Sequence, residues 1–89
     1  MKRYRLEVLT PRGKSFSGEV IHTQVPAEDG FVGVLAHHAS YVTSSPGGKL
    51  EIRLLSQESR LFRVGPGFFQ ILENDAFFLT QSVQTESPV

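Results

Sequence analysis

The chain has no cysteine and no tryptophan, and its nine basic side chains are matched by nine acidic ones. Without cysteine, neither a disulfide framework nor a thiolate metal site can brace these 89 residues. A formal net charge of zero argues against nucleic acid as the main partner, because phosphate binding needs a basic excess or a basic stripe. No apolar run approaches the length of a membrane-spanning helix. The basic opening Met1-Lys2-Arg3-Tyr4-Arg5 is not followed by the apolar segment of a signal peptide. A soluble, cytoplasmic protein is therefore expected. Helical periodicity is missing too, as are internal repeats and low-complexity tracts.

What is present is short-range alternation broken by turn residues. Tyr4 to Leu9 places Tyr4, Leu6 and Val8 on one face and charged residues on the other, which is the pattern of a half-buried strand. Thr10-Pro11-Arg12-Gly13 is a turn. Lys14 to Ser17 reads as a short strand around Phe16, with a break or bulge at Ser17-Gly18. Glu19 to Val25 follows as a longer strand with Ile21, Thr23 and Val25 on one face. Glu28-Asp29-Gly30 is turn chemistry. Phe31 to Leu35 resumes a strand whose Gly33 marks a bulge or a close approach. Further strands are expected at Ser40–Ser44, around Leu50–Leu55, at Arg60–Val64, around Phe68–Leu72 and at Ala76–Gln81. They are separated by Pro46-Gly47-Gly48-Lys49, Ser56-Gln57-Glu58-Ser59, Gly65-Pro66-Gly67 and Glu73-Asn74-Asp75. Residues 1–82 form one domain, and the polar 83–89 is expected to be a frayed tail. Such a series of short strands is all-β, and the alternation alone allows a sandwich or an open barrel. A chain this short buries only about two-thirds of its unfolded surface, so the seven phenylalanines are the expected anchors of a modest core.

The residues offer little chemistry. His37 and His38, adjacent on extended chain, point to opposite sides and cannot easily share one metal with His22. Glu28 and Asp29 sit in a turn that provides neither burial nor a charged neighbour to shift a pKa for acid–base work. Gly65-Pro66-Gly67 is followed by no Lys-Ser/Thr and no helix, so it is not a phosphate cradle. No serine or threonine stands in a nucleophile-elbow motif. The basic residues Lys2, Arg3, Arg5, Arg53, Arg60 and Arg63 are balanced by acids and read as a solvated face or an interface rim. No catalytic residue, cofactor site or metal site is expected.

Phe16-Ser17-Gly18-Glu19-Val20, then Glu28-Asp29-Gly30-x-x-Gly33-Val34-Leu35-x-x-His38-Ala39, resembles the epsilon subunit of F-type (rotary) ATP synthases, specifically its N-terminal β-sandwich domain. The resemblance continues through Val42-Thr43, Pro46-Gly47-Gly48, Leu50-Glu51-Ile52-Arg53 and Gly65-Pro66-Gly67-Phe68-Phe69-Gln70-Ile71, and so covers Tyr4 to about Gln81. The family usually has Pro-Gly-His where this chain has Ala36-His37-His38, and often Gly-Gly where it has Pro66-Gly67. These departures bear on the corners more than on the fold.

The resemblance implies a flattened two-sheet β-sandwich acting as a non-catalytic central-stalk subunit, peripheral on the cytoplasmic face of an energy-transducing membrane. Its partners would be the gamma subunit and the membrane rotor ring, with proton or sodium transport coupled to ATP synthesis. It implies that Glu28, Asp29, Gly30, Phe31 and His38 meet the ring, and that one outer sheet face meets gamma, with Tyr41, Val42 and Thr43 as the proposed contacts. Neither nucleic acid, nor membrane insertion, nor a small-molecule ligand is expected. Longer family members continue into two C-terminal helices that can block rotation and, in some, bind ATP. The residues after Gln81 carry no apolar stripe for such a hairpin, so neither braking nor ATP binding is expected of this polypeptide. Two other classes fit less well. A glycan- or peptide-binding module would have only Tyr4 and Tyr41 beside its phenylalanines for a platform, and a small β-barrel enzyme would lack an acid–base pair.

Overall fold

A computed structural model describes residues 2–37 and 39–86. Nine strands follow one another: β1 (Tyr4–Thr10), β2 (Gly13–Ala27), β3 (Gly30–Leu35), β4 (Tyr41–Ser45), β5 (Gly48–Leu54), β6 (Ser59–Val64), β7 (Gly67–Leu72), β8 (Asp75–Thr80) and β9 (Val83–Glu86). They form one continuous ladder in the order β4-β7-β8-β1-β2-β5-β6-β9, with β3 also on β2. β2 is long enough to serve twice. Its residues 13–20 pair with β1 and its residues 22–27 with β3, while β5 runs along its other edge at Val20–Gln24. The ladder therefore doubles over at β2 into two layers, β4-β7-β8-β1-β2 and β3-β2-β5-β6-β9. The result is a two-layer sandwich in a block of 30 × 30 × 25 Å, the closed alternative to an open barrel.

The change of layer requires a change of phase. Between Val20↔Leu54 and His22↔Arg53, β2 holds one residue more than β5, and Ile21 is the bulge. Before it, the even-numbered Phe16 and Val20 face the core. After it, the odd-numbered Thr23 and Val25 do. A second extra residue, Ser15, lies where β1 pairs Val8 with Phe16 and Leu9 with Lys14. The expected break at Ser17-Gly18 is thus absent. β2 runs unbroken, its irregularities fall at Ser15 and Ile21, and Ile21 is only half-buried in the bulge beside the buried Thr23 and Val25. Gly33 is no bulge either. Its pairing with Gln24 is regular, and a Cβ there would meet His22 Nε2 at 3.3 Å, so the imidazole is what lies close.

One apolar cluster joins the layers. Leu6, Val8, Val20, Phe69, Ile71 and Phe78 from the first layer face Val25, Val34, Leu50, Ile52, Phe62 and Val64 from the second, each burial contributing about 1.5–3 kcal/mol. Phe16 and Phe62 meet edge to face with centroids 6.1 Å apart. Tyr4 crosses this cluster with a polar tip. Its hydroxyl donates to the Val34 carbonyl at 3.0 Å, which leaves a lone pair to accept the Thr23 hydroxyl at 2.5 Å. Both side chains are buried, and among the described residues no buried side-chain polar atom is left without a partner.

Three two-residue crossings, β4 to β5, β6 to β7 and β8 to β9, stack against one another. Thr80 Oγ1 lies 2.9 Å from the Gly65 carbonyl and 3.1 Å from that of Pro66, while the Ser82 N–H donates back to it at 3.4 Å. A Cβ on Gly47, at φ 90, would stand 2.8 Å from the Val64 carbonyl, and one on Gly67 would run into the Leu79 carbonyl. The Pro66-Gly67 corner therefore keeps glycine where the neighbouring backbone demands it.

The expectation of a frayed tail at 83–89 is corrected over the part described. Val83–Glu86 is an edge strand on β6, with Val83 packed against the core and Glu86 3.1 Å from Arg63. Its polar composition hid it, because an edge strand is held mainly by its backbone ladder. Residues 87–89 lie outside the described part.

Burial pushes the Tyr4 hydroxyl up to about 12, against the partial relief from Thr23. The folded state thus keeps a proton that the unfolded chain releases near pH 10. The stability linked to it is complete below pH 10 and is lost as pH rises toward 12. Urea titrations from pH 8 to 12 should show that decline, and Tyr4→Phe should flatten it relative to wild type. At pH 7 the same substitution should cost about 1–3 kcal/mol, because Thr23 and Val34 lose a buried partner. Gly67→Ala should destabilise by at least about 2 kcal/mol, since the obstruction is backbone and cannot rotate away.

Candidate interaction surfaces

The outward residues of the first layer line up in rows across the strands. Strand pairing sets Ser44, Phe68, Leu79 and Leu9 side by side, then Val42, Gln70, Phe77 and Glu7, then Leu72, Asp75 and Arg5. The β4-β7-β8 half of this face is apolar and open. Val42 is 63 % exposed, Phe68 59 %, Leu72 49 % and Leu79 41 %. Grouped apolar side chains with this exposure mark a contact surface, unlike scattered ones. Leu9, Pro11, Pro66, Phe68 and Leu79 line an open depression of about 410 Å³ at its upper rim.

The β1-β2 half of the same face is charged. Glu7 lies 3.0 Å from Lys14 and 3.5 Å from Arg5, and accepts from the Ser17 hydroxyl at 3.2 Å. The Lys14 bond, ahead of Ser17 and Arg5, holds the Glu7 carboxyl below the usual carboxylate range. Arg3 and Glu19 continue the rim at 3.6 Å. An apolar patch with a polar, charge-paired border is the general anatomy of a protein interface.

Of Tyr41, Val42 and Thr43, the residues expected to meet gamma, only Val42 projects from this apolar outer face. Tyr41 and Thr43 pair with the buried Ile71 and Phe69, so they turn inward and are half-buried, and Tyr41 packs against the core. The alternation of β4 decides this: Val42 is out, so its neighbours are in. Phe68, Leu72 and Leu79 had not been singled out. The available signal was the unbroken apolar character of Phe68-Phe69, Ile71-Leu72 and Phe77-Phe78-Leu79, which denotes strands covered on both faces.

The second feature is the β2–β3 turn. Ala27 pairs with Gly30, leaving Glu28 and Asp29 as the exposed tip, and Phe31 beside them is 59 % exposed. Both carboxylates stand free of ion pairs among the described residues. His38 lies outside the described residues. Its neighbour His37 sits two residues beyond Leu35, the far end of β3, which is itself roughly 16 Å of extended chain from Gly30 at about 3.3 Å per residue. The turn and the histidine corner are therefore separate features. That corner takes its positive φ of 65° at His37, the residue standing where the resembling family has glycine.

Among the described residues no group of three or more His, Cys, Asp or Glu could hold a metal, and no helix is long and apolar enough to cross a membrane. Fold and surfaces together define a β-sandwich whose built features are contact surfaces. The family model for the ATP synthase delta/epsilon chain β-sandwich domain matches residues 3–86. An ATP synthase epsilon chain of Chlorobium limicola is 32 % identical over 82 residues, covering 92 % of this chain and 93 % of that relative. One from a Sulfurihydrogenibium species is 35 % identical over 80 residues, covering 90 % of this chain and 60 % of that relative. The chain belongs to the delta/epsilon-chain β-sandwich family of ATP synthases. In solved structures, a chain of the Euglena gracilis mitochondrial ATP synthase OSCP/F1/c-ring assembly superposes with a TM-score of 0.89 at 17 % identity, over 96 % of this chain and 54 % of that one. A chain of the Tetrahymena thermophila mitochondrial ATP synthase central stalk/c-ring assembly gives 0.77 at 13 %, over 94 % and 69 %. At such identities these superpositions speak for the fold alone. None of these comparisons supports the glycan- or peptide-binding alternative.

Because Val42 and Phe68 project from the sandwich, Val42→Asp and Phe68→Asp should each leave the unfolding midpoint within about 0.5 kcal/mol of wild type. Tyr41→Asp should lower it by about 2 kcal/mol or more, as charge would be forced toward the core. Parallel urea curves for the three variants check this.

Proposed function

We propose that this chain is a central-stalk subunit of an F-type ATP synthase, linking the gamma subunit to the membrane rotor ring. In this role it helps couple proton or sodium transport to ATP synthesis and performs no chemistry itself. It would sit peripherally on the cytoplasmic face of the energy-transducing membrane. The observation that carries this reading is the family match across 3–86 on a sandwich that leaves one apolar sheet face open. The structural neighbours are consistent with it, since they come from an OSCP/F1/c-ring assembly and a central stalk/c-ring assembly.

Within that reading, the gamma contact is the apolar half of the first layer: Val42 with Phe68, Leu72 and Leu79. Tyr41 and Thr43 support it from beneath. Exposed apolar side chains of this kind anchor in a partner's recesses, while the charged rim of Glu7, Arg5 and Lys14 sets orientation. The rotor-ring contact is the Glu28-Asp29-Gly30-Phe31 tip. His38, which lies outside the described residues, remains part of the proposed ring contact. A rigid sandwich with one partner on a sheet face and another on a hairpin tip transmits torque by its stiffness, for which it needs no nucleophile and no cofactor.

Calorimetry against purified gamma subunit tests the face. Phe68→Asp should weaken binding at least about tenfold, since an unpaired charge in a buried contact costs more than 1.4 kcal/mol, and unchanged affinity would remove this face from the interface. Glu28→Gln with Asp29→Asn should leave gamma binding intact and reduce ATP-driven proton pumping in reconstituted vesicles. The reduction should be no more than about thirtyfold, because the two exposed charges contribute at most about 1 kcal/mol each. Full coupled pumping in the double variant would argue against the tip as the ring contact.

A further inference from the structure

The corner between β3 and β4 is held from outside its own segment. His37 adopts φ 65°, in the left-handed region that a residue with a Cβ enters only at a cost. Its backbone N–H donates to Asn74 Oδ1 at 2.7 Å, and Asn74 Nδ2 lies 3.3 Å from His37 Nδ1. Asn74 is itself fixed. It is the second central residue of the β7–β8 turn, where Glu73 at φ 51° and Asn74 at φ 64° give the turn type that suits a two-residue hairpin. Its carbonyl accepts the Arg5 N–H at 3.0 Å. One residue on one hairpin, through its carbonyl and its side chain, thus ties together the start of β1, the β7–β8 turn and the corner that leads into β4.

The chemistry of this contact has a direction. The His37 N–H can only donate, so Asn74 must turn its oxygen toward it. The amide nitrogen then faces the imidazole, and a carboxamide NH₂ can only donate. His37 Nδ1 must therefore carry a lone pair, with the ring proton on Nε2. Adding a proton at Nδ1 sets two donors against each other at 3.3 Å and turns an attraction into a repulsion. We propose that Asn74 is the positioning residue of the β3–β4 corner, and that it holds the corner only while His37 Nδ1 is unprotonated.

The surrounding charges do not provide another partner. Glu73 and Asp75 flank Asn74 on the same turn, Arg5 pairs across from Asp75 on β1, and His22 lies across from Leu35 on β2, two residues before His37. Among the described residues none of them makes an ion pair with His37. The inference does not depend on which partner covers the outer face. Its consequence for that face is that a proton on Nδ1 would release His37 from Asn74 ahead of β4, which carries Val42.

Solution NMR on the full chain tests this. At pH 7.5 the long-range ¹H–¹⁵N spectrum should show His37 as the Nε2–H tautomer, with its backbone amide protected from exchange. At an acid pH at which the same spectra show the His37 ring protonated, that protection, corrected for intrinsic exchange, should fall at least tenfold while the Leu6 and Ile71 amides keep theirs. Asn74→Asp should reverse the trend, because a carboxylate accepts from both the N–H and a protonated Nδ1. His37→Gly, which leaves the other histidines in place, should make protection at position 37 independent of pH. The Nδ1–H tautomer at pH 7.5, equal wild-type protection at both pH values, or an Asp variant that follows the wild-type trend would each overturn the proposal.

Discussion

The sandwich depends on β2 belonging to both layers, and on the hydrogen-bonded tip of Tyr4 that closes the crossing. A strand that passes from one sheet to the other must keep its apolar side toward the core in both. Strict period-two alternation cannot do so through a bend of this kind. The extra residue Ile21 resets the phase, so that Val20 before it and Thr23 after it both point inward. Thr23 brings a hydroxyl into the interior at that point. It is tolerated because it bonds to the Tyr4 hydroxyl from β1, which in turn donates to the Val34 carbonyl from β3. Three strands meet in that one contact, and each is needed to satisfy the others.

The opposite closure is made of backbone. The crossings 45–48, 64–67 and 80–83 lie so close that side chains are excluded at Gly47 and Gly67, and Thr80 provides the hydroxyl that binds two of them. A block closed by a core knot on one side and stacked crossings on another has little freedom to shear. Stiffness of this kind fits a subunit that transmits force between partners. It also explains why the features available for recognition are a sheet face and hairpin tips rather than a cavity.

The outer face of the first layer shows how one sheet can present two chemistries. β7 and β8 place apolar residues on both faces, whereas β1 and the first half of β2 alternate apolar with charged. Side by side they give an apolar field with a rim in which Glu7 gathers Lys14, Arg5 and Ser17. The second layer has no comparable field. Its outward rows are polar, with His22 beside Arg53 and Ser59 and Lys49 beside Arg63 and Gln84, and its exposed large apolar residues are Phe31 and Leu35 on the edge strand β3 and Leu55 after β5.

Much of this was legible in the residues. Alternation set Tyr4, Leu6 and Val8 on the buried face of the first strand, and turn residues separated most of the strands, because both signals are local and have a short period. The ordered motifs from Phe16 to Ile71 pointed to the family, and the exposed Glu28-Asp29 tip followed from its turn chemistry. Other features had no local signal. The phase shift at Ile21 exists only because β5 offers one residue fewer, β9 holds its place through the ladder of β6, and Tyr41 faces inward because Ile71 does. The bond from Asn74 to His37 joins residues 37 positions apart in sequence. By itself the sequence determined which stretches are strands and which side chains seek the interior. Only the tertiary structure decided which faces remain open and which distant groups satisfy one another, since those depend on what each strand finds beside it.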